Sequence, residues 1–255
     1  MRACLLGSGS SGNATLVATD TTRVLFDAGF SCLQIRKRLA GIGVDYATLD
    51  AVVVSHEHTD HVKGLEVLKR QTGVRIFATQ LTKSALTWTK AEPEIALFEA
   101  GNAFSVGDLE IETFTISHDA IDPVGFCART NGAKISIVTD LGYMTDSVRY
   151  HLAGTDLLVL ESNHDLEMLK SGPYPWDIKQ RVMSRDGHLS NAAAAEYLRK
   201  DWDRKARTVV LAHLSAQNNH PAIAEMDARA ALGSASAATQ LVVARQDRPT
   251  PVFEL

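Results

Sequence analysis

The sequence is poor in cysteine and in long apolar runs, and each shortage excludes a class of protein. Its three cysteines, Cys4, Cys32 and Cys127, have no paired spacing. A disulfide framework is therefore excluded, and we expect reduced thiols in a cytoplasmic protein. No apolar run reaches the roughly 20 residues that span a bilayer. The first 13 residues, MRACLLGSGSSGN, are also too poor in apolar residues for a signal peptide.

Neither sign of charge dominates the chain. The 26 Lys and Arg residues against 30 Asp and Glu residues give a formal net charge of −4, which provides no general attraction to nucleic acids or anionic membranes. Any polyanion must therefore be bound by a local patch or by a metal ion. What the 255-residue chain does have is apolar content, because its hydrophobic fraction of 45% is enough for a globular core.

The apolar residues fall into short strand-like runs, with helix-like segments between several of them. Strands are predicted at residues 3–6, 14–19, 23–29, 51–55, 74–79, 109–117, 123–130, 134–140, 157–162 and 208–215. Helices are predicted at 31–42, 61–71, 79–90, 190–201 and 221–232, with Ser31 and Ser190 as N-caps. The Pro/Gly-rich segment 171–177 is predicted to be a surface loop. Because no repeat or low-complexity linker interrupts this pattern, we expect α/β architecture in one domain over residues 1–255.

Polar residues with ligand chemistry follow the ends of six predicted strands. These residues are Asp27, the segment 56–61, His118, Asp140, Glu161 and His213. All lie at the C-terminal ends of strands, so they could converge on one edge of the packed sheets. Histidines scattered through a core would not show this regularity.

The segment after strand 51–55, HEHTDH at positions 56–61, is the densest of these clusters. In an extended loop His56, His58 and Asp60 point to the same side, and a following turn lets His61 diverge, so one segment can supply two ions. Imidazole and carboxylate ligands favour zinc, with manganese and iron as the alternatives. A solvated polar loop would explain a lone histidine, but not this density of ligands.

HEHTDH resembles the H-x-H-x-D-H signature of the metallo-β-lactamase superfamily, and FDAG, ISHD, VTD and LAHLS stand where that family has its other motifs. The resemblance covers about residues 1–220 and implies a four-layer αββα sandwich with a two-metal site at the edge between the sheets. The implied ligands are His56, His58 and His118 for one ion and Asp60, His61 and His213 for the other, with Asp140 and a hydroxide bridging them. Asp27 is implied to orient the signature loop from behind.

The implied site carries a net positive charge. Two dipositive ions, Asp60, Asp140 and one hydroxide sum to about +1, because the histidines bind as neutral imidazoles. Such a site attracts an anionic substrate. Paired ions can also generate hydroxide near neutral pH and hold the attacking and leaving oxygens of a phosphodiester.

Two further segments, LLVLESNHD at 157–165 and DGHLSNAAAAEYL at 186–198, resemble stretches of ribonuclease Z-like phosphodiesterases. That resemblance implies that Glu161 steadies His188 as a proton relay to the leaving alkoxide, so the expected catalytic residues are Asp60, Asp140, Glu161 and His188. The alternative is a helix-capping motif with an incidental histidine. His151, His164 and His220 match no ligand position, and we expect them on the surface.

The segment GSGSSGN at 7–13 has two interpretations. It is either an ordinary turn or a phosphate cradle in which Ser10, Ser11 and Asn13 contact the substrate. It lacks the Gly-Lys-Ser/Thr ending of a nucleotide P-loop.

Two spacings narrow the class of hydrolase. Only 21 residues separate His118 from Asp140, too few for the tRNA-gripping arm of ribonuclease Z, and 72 separate Asp140 from His213, too few for the added domain of β-CASP nucleases. The segments MRACLLGSGSSGN, ISHDAIDPVGF, LESNHD and GHLSN most resemble the YycJ/WalJ group of the superfamily, which implies a 5′→3′ DNA exonuclease. A small-molecule phosphodiesterase or thioesterase is the alternative, and a non-catalytic sensor is the third hypothesis. The oligomeric state is left open.

Overall fold

Two seven-stranded sheets form the centre of the protein. The computed structural model describes residues 1–130 and 132–255. The strands are β1 Arg2–Gly7, β2 Ala14–Ala18, β3 Arg23–Phe26, β4 Ala51–Val53, β5 Arg75–Ala78, β6 Ala96–Leu97, β7 Ala103–Val106, β8 Leu109–Thr115, β9 Val124–Thr130, β10 Ala133–Val138, β11 Leu157–Glu161, β12 Thr208–Ala212, β13 Gln240–Val243 and β14 Phe253–Glu254. The helices are α1 Cys32–Gly41, α2 Thr59–Val62, α3 Leu65–Thr72, α4 Gln80–Ala85, α5 Asp146–Leu152, α6 Leu166–Ser171, α7 Trp176–Val182, α8 Asn191–Lys200 and α9 Pro221–Leu232.

The strand order explains why polar strand ends meet. The first sheet has the order β14-β1-β2-β3-β4-β5-β6 and the second has β13-β12-β11-β10-β9-β8-β7. Strands β3 to β6 run parallel, as do β10 to β13. Strand β8 runs in the direction of β10, because β9 pairs antiparallel with both. The C-terminal ends within each of these strand sets therefore lie along one edge of their sheet.

Three separate apolar cores define four layers. One core lies between the sheets and contains Val53 and Val159. A second lies between the first sheet and helices α1 and α3 and contains Val52, and a third lies between the second sheet and helices α5, α8 and α9 and contains Leu158. Neighbouring residues of one strand thus face different cores, which is why these strands are continuously apolar rather than alternating. The arrangement confirms the expected αββα sandwich.

All ten predicted strands are present, but four short strands and three short helices were not predicted. The missed strands are β6, β7, β13 and β14, and the missed helices are α5, α6 and α7. The predicted helix 61–71 is interrupted at Gly64, whose N–H donates to Ala28 O at 2.8 Å, and the predicted helix 79–90 ends at Ala85. The predicted loop 171–177 is shorter than expected, because α7 already begins at Trp176.

Strands from both ends of the chain join the first sheet, where β14 pairs with β1. We propose on this basis that residues 1–255 form one domain, as the sequence pattern predicted. Within residues 1–130 and 132–255, no helix is both long enough and apolar enough to cross a membrane.

Replacing Phe126 with alanine tests the core between the sheets. Phe126 is 1% exposed, and its ring centroid lies 5.0 Å from that of Phe26. We expect Phe126→Ala to lower the free energy of unfolding by about 3–5 kcal/mol, because the cavity cannot close between two rigid sheets. Tyr150 is 76% exposed, so Tyr150→Ala should change it by no more than about 0.5 kcal/mol. Denaturant unfolding of both variants measures the difference, and equal effects would contradict this assignment of the core.

Candidate metal and catalytic centre

The predicted ligand residues come together where the strands of both sheets end. Their donor atoms form three groups, in each of which all atoms lie within 4.8 Å of one another. The groups are His56, His58 and His118; Asp60, His61, Asp140 and His213; and Asp140, Glu161, His188 and His213. Every predicted metal ligand is therefore in a cluster, and the two members of the predicted relay are in contact with them.

Three of these strand ends have an unusual backbone. Asp27, Asp140 and His213 have φ angles of 62°, 60° and 56°, in the left-handed region that few residues other than glycine adopt. Each follows a strand closely, so the left-handed turn ends the extended backbone and turns the side chain toward the edge. Residues held in this conformation cluster at functional sites, where the surrounding structure supports the strain.

The first cluster consists of three histidines, and in His56 and His118 the outer nitrogen is already hydrogen-bonded. His56 Nδ1 lies 2.9 Å from Ser55 Oγ, and His118 Nδ1 donates to the carbonyl of Gly187 at 3.2 Å. His56 Nε2 is buried and has no hydrogen-bond partner, while His118 Nε2 lies 3.3 Å from His58 Nδ1. Burial and then the neighbouring histidines lower the pKa of His56 well below its usual value, which favours the neutral form that binds metals.

The second cluster mixes carboxylates with histidines. Asp60 Oδ2 lies 3.3 Å from His213 Nε2 and 3.5 Å from His61 Nε2. Asp140 Oδ2 is 3.1 Å from His61 Nε2 but outside hydrogen-bond geometry. Burial opposes ionisation of Asp140, yet the charges of His213 and His61 hold its pKa well below the usual value. Burial lowers the pKa of His213, but Asp140, Asp60 and Glu161 together raise it to about 10.

Asp27 forms hydrogen bonds with the signature loop from the side away from the clusters. Its Oδ2 accepts from His61 Nδ1 at 2.7 Å and from Ser55 Oγ at 2.9 Å, and its Oδ1 accepts from Ser55 N at 2.8 Å. The loop also packs tightly against Gly29, because a Cβ added there would overlap the carbonyl of Asp60. These contacts set the His61 ring with Nε2 toward the cluster.

Glu161 contacts more of the site than the sequence predicted. Its Oε1 accepts from His188 Nδ1 at 2.9 Å, as expected for the relay, but also from His213 Nδ1 at 2.8 Å. Its Oε2 accepts from the backbone N–H groups of Leu141 at 2.7 Å and Leu189 at 3.1 Å. The side chain is completely buried. Burial alone would raise the pKa of Glu161, but His188 and His213 lower it to about 2.

The contact with Glu161 also shifts the pKa of His188. Burial lowers the pKa of His188, but the charge and the hydrogen bond of Glu161 outweigh it, so the pKa is raised above the usual value. The side chain remains 21% exposed. The raised pKa favours the protonated form, and a partly exposed imidazole beside the ligand clusters is suited to donate a proton to a bound substrate.

The donor set fits divalent metal ions. In His61, His118 and His213 the Nδ1 atom bonds to an outer acceptor, so that Nε2 is directed at the cluster. Metal-binding histidines generally show this arrangement, in which an outer carboxylate or carbonyl fixes the tautomer. The orphaned Nε2 of His56 and Oδ2 of Asp140 point to the same conclusion, because buried polar atoms are otherwise paired.

Five backbone N–H groups of the segment 7–13 are already hydrogen-bonded within the protein, which disfavours a backbone cradle for phosphate. The N–H groups of Gly9 and Ser11 donate to the side chains of Asn13 and Gln246, and those of Ser8, Gly12 and Asn13 donate to backbone carbonyls. Among the three predicted contacts, Ser10 and Ser11 are exposed. Asn13 is buried, and its Nδ2 lies 3.2 Å from Asp60 Oδ2 and 3.1 Å from His61 Nε2.

The surface prediction was wrong for His164. This residue is 1% exposed, its Nδ1 has no hydrogen-bond partner, and burial lowers its pKa to about 4. The chain beyond β11 turns inward to pair with Ser190, which places His164 under the start of α8. His151 is partly buried and stacks on Phe114 with centroids 4.7 Å apart. His220 is exposed, as predicted, and caps α9.

Two residues that hold His213 were not identified from the sequence. Ser8 Oγ accepts from the backbone N–H of His213 at 2.8 Å, and Asn163 Nδ2 donates to its carbonyl at 2.8 Å. Both are buried and follow strand ends. That position was the only available signal, because serine and asparagine are common in ordinary turns.

Comparison with known proteins identifies the family. The Beta-lactamase superfamily domain matches residues 22–214. Exodeoxyribonuclease YycJ of Bacillus anthracis is 36% identical over 225 residues, which cover 87% of this chain and 85% of the relative. Exodeoxyribonuclease WalJ of Streptococcus pneumoniae serotype 2 is 36% identical over 227 residues, with coverages of 87% and 84%.

Solved structures support the same fold. The metallo-β-lactamase fold protein YhfI from Bacillus subtilis superposes with a TM-score of 0.76 at 18% identity, covering 100% of this chain and 98% of that one. Zn²⁺-bound PqqB from Methylobacterium extorquens superposes with a TM-score of 0.73 at 16% identity, covering 100% of both chains. The chain belongs to the metallo-β-lactamase superfamily, in its YycJ/WalJ group.

Proposed function

We propose that this protein is a metal-dependent DNA exonuclease that acts in the 5′→3′ direction. The coarser assignment, a metal-dependent hydrolase, follows from the family and the clustered donor atoms. The observation that carries cleavage of a phosphodiester is the pair of buried Glu161 and partly exposed His188 beside those clusters, because it can supply a proton to the leaving oxygen. The names of relatives that are 36% identical support DNA as the substrate. The three free cysteines accord with a reducing, cytoplasmic location.

The clusters suggest how two ions would be shared. His56, His58 and His118 would hold one ion, and Asp60, His61 and His213 the other, with Asp140 between them. Zinc suits the imidazole-rich set best, and manganese and iron are the alternatives. When bound, a pair of divalent ions supplies hydroxide near neutral pH and neutralises charge on the phosphate.

The protein's own residues would then complete the reaction. Hydrolysis adds a hydroxide oxygen to phosphorus and breaks the bond to the leaving oxygen, which departs as an alkoxide unless it is protonated. His188 would give that oxygen the proton from Nε2, while Glu161 holds Nδ1 and stabilises the cationic form. Asn13, the one buried member of the predicted phosphate contacts, would donate its amide to a phosphate oxygen.

The basic rim beside His188 gives the DNA backbone a place to bind. Arg181 pairs with Asp119 and remains 59% exposed, and the Arg185 guanidinium lies 4.5 Å from the centre of the Tyr143 ring. With a net charge of −4 on the whole chain, these contacts must be local, and binding should weaken steeply with salt.

End-labelled DNA tests the activity and its direction. Metal-loaded protein should release labelled mononucleotide at once from a 5′-labelled strand, whereas a 3′-labelled strand should shorten progressively. Immediate release of the 3′ label would reverse the proposed direction. Absence of cleavage with zinc, manganese and iron would refute the nuclease assignment.

Ligand substitution tests the metal assignment. We expect His56→Ala and Asp140→Ala to lose bound metal on dialysis, and Asp27→Asn to weaken affinity about 10–100-fold because His61 loses its outer partner. Elemental analysis and competition with a chromophoric chelator measure both effects. His220→Ala, which removes an exposed histidine outside the clusters, should retain the full metal content. Full metal content in His56→Ala and Asp140→Ala would contradict the assignment.

Metal binding should release protons. The carboxylates of Asp140, Asp60 and Glu161 raise the pKa of His213 to about 10, which favours a protonated ring at neutral pH, whereas a metal ligand must be neutral. Affinity should therefore rise with pH up to that value and fall as the solution is acidified. Titration calorimetry in buffers of different ionisation enthalpy counts the protons, and identical heats in all buffers would exclude the linkage.

Removing the proposed acid should separate chemistry from metal binding. We expect His188→Ala to retain its metal but to lose about 10²–10⁴-fold in kcat on DNA, the usual contribution of general acid catalysis. Elemental analysis and steady-state kinetics provide the two readouts. Full activity of the variant on DNA would rule out the relay.

A further inference from the structure

The segment that carries His188 is fastened to the strand ends that carry His118 and Asp140. We call residues 181–188 the acid loop; it consists of the last two residues of α7 and the six residues that follow them, and it precedes α8. The loop has no strand of its own to aim His188. Hydrogen bonds within the loop, such as the one from His188 N–H to the carbonyl of Val182 at 3.0 Å, fix its local shape. Its position relative to the ligand clusters depends on contacts with neighbouring segments.

The segment after β8 makes three such contacts. Ser117 Oγ donates to Asp186 Oδ1 at 2.8 Å, and His118 Nδ1 donates to the carbonyl of Gly187 at 3.2 Å. Asp119 forms an ion pair with Arg181. Three consecutive residues, of which the middle one is a proposed metal ligand, thus hold both ends of the acid loop.

On its other side, the acid loop packs against Gly142, which lies in the segment after β10. The Gly142 N–H donates to the carbonyl of Ser117 at 2.8 Å, which joins the two strand-end segments. The backbone of Arg185 lies so close to Gly142 that a Cβ added to this glycine would overlap the carbonyl group of Arg185. The obstacle is backbone rather than a flexible side chain, so only displacement of the acid loop or of Gly142 itself could relieve it.

We propose that Gly142 and the Ser117–Asp186 hydrogen bond are positioning elements that set the distance of His188 from the reacting phosphate. This inference rests on the proposed function, because it assigns His188 the role of proton donor. Gly142 touches no substrate in this scheme; it acts only by letting the acid loop lie close to Asp140 and His118. A displacement of about 1 Å at a reacting group can cost 10²-fold in rate.

Two substrates with different leaving groups distinguish a misplaced proton donor from general damage to the enzyme. The alkoxide released from DNA is a strong base and needs a proton as the P–O bond breaks, whereas p-nitrophenolate departs without one. A variant in which only the acid is misplaced loses kcat on DNA and retains it on bis(p-nitrophenyl) phosphate. A variant with general structural damage or metal loss is slower on both substrates.

Gly142→Ala provides the test. We expect kcat on DNA to fall about 10²-fold with KM nearly unchanged, while kcat on bis(p-nitrophenyl) phosphate changes less than about threefold and metal content is preserved. Gly41→Ala is the matched control, because a Cβ at Gly41 meets no atom within 4 Å. It should leave both reactions unchanged. A parallel loss on both substrates, or no loss on DNA, would overturn the proposal.

Ser117→Ala and Asp186→Ala, each of which removes one partner of the Ser117–Asp186 hydrogen bond, extend the test without adding bulk. Each should lower kcat on DNA and leave kcat on bis(p-nitrophenyl) phosphate nearly unchanged. The loss should be smaller than that of Gly142→Ala, because the backbone contacts remain. The ¹⁵N resonances of the His188 ring, assigned by their loss in His188→Gln, report its position without substrate. They should shift in Gly142→Ala and not in Gly41→Ala.

These readouts separate the inference from the proposed function. If the wild-type protein does not cleave DNA but the His188 resonances still shift in Gly142→Ala, the nuclease assignment fails and the positioning role stands. If those resonances do not move, the positioning role is wrong whatever the substrate.

Discussion

The buried carboxylate of Glu161 is the contact on which the candidate site depends. It accepts hydrogen bonds from two histidines and two backbone N–H groups. A buried carboxylate without partners would be expensive to maintain, so these four donors and the acid require one another. Because the donors lie on or beside the segments that carry Asp140, His188 and His213, a single side chain sets the relative position of ligands and proposed acid.

The sandwich makes that arrangement rigid. Strands whose alternate residues enter different cores are anchored on both faces, so their ends move little relative to one another. Loops attached to such ends can then hold ligand side chains in place. The same logic extends to the acid loop, which gains its rigidity from the ends of β8 and β10 rather than from a strand of its own.

Much of this site was readable from the sequence, for two reasons. Long apolar runs mark buried strands strongly, and the H-x-H-x-D-H spacing brings several ligands together within one loop. Short edge strands such as β6, with two residues, have no comparable signal, because their pairing partners are distant in the chain. Nor does any local pattern show that Glu161 reaches His213, or that His164 is drawn under α8, since both depend on tertiary contacts.

The glycine-rich segment illustrates the limit most clearly. Its composition suggested free N–H groups, but hydrogen bonding within the fold satisfies those of Ser8, Gly9, Ser11, Gly12 and Asn13. Composition reports how a loop can bend and says nothing about whether its donors are already occupied. The side chain of Asn13, directed at Asp60 and His61, emerged only from the geometry.

The left-handed backbone at Asp27, Asp140 and His213 limits how this chemistry could be transplanted. A designer who copied only the side chains onto another scaffold would place them on ordinary extended backbone and aim them in the wrong direction. Glycine, asparagine, aspartate and histidine tolerate such a turn best, while β-branched replacements would distort it. The unit to transplant is therefore the strand together with the left-handed residue that follows it, and not the ligand side chains alone.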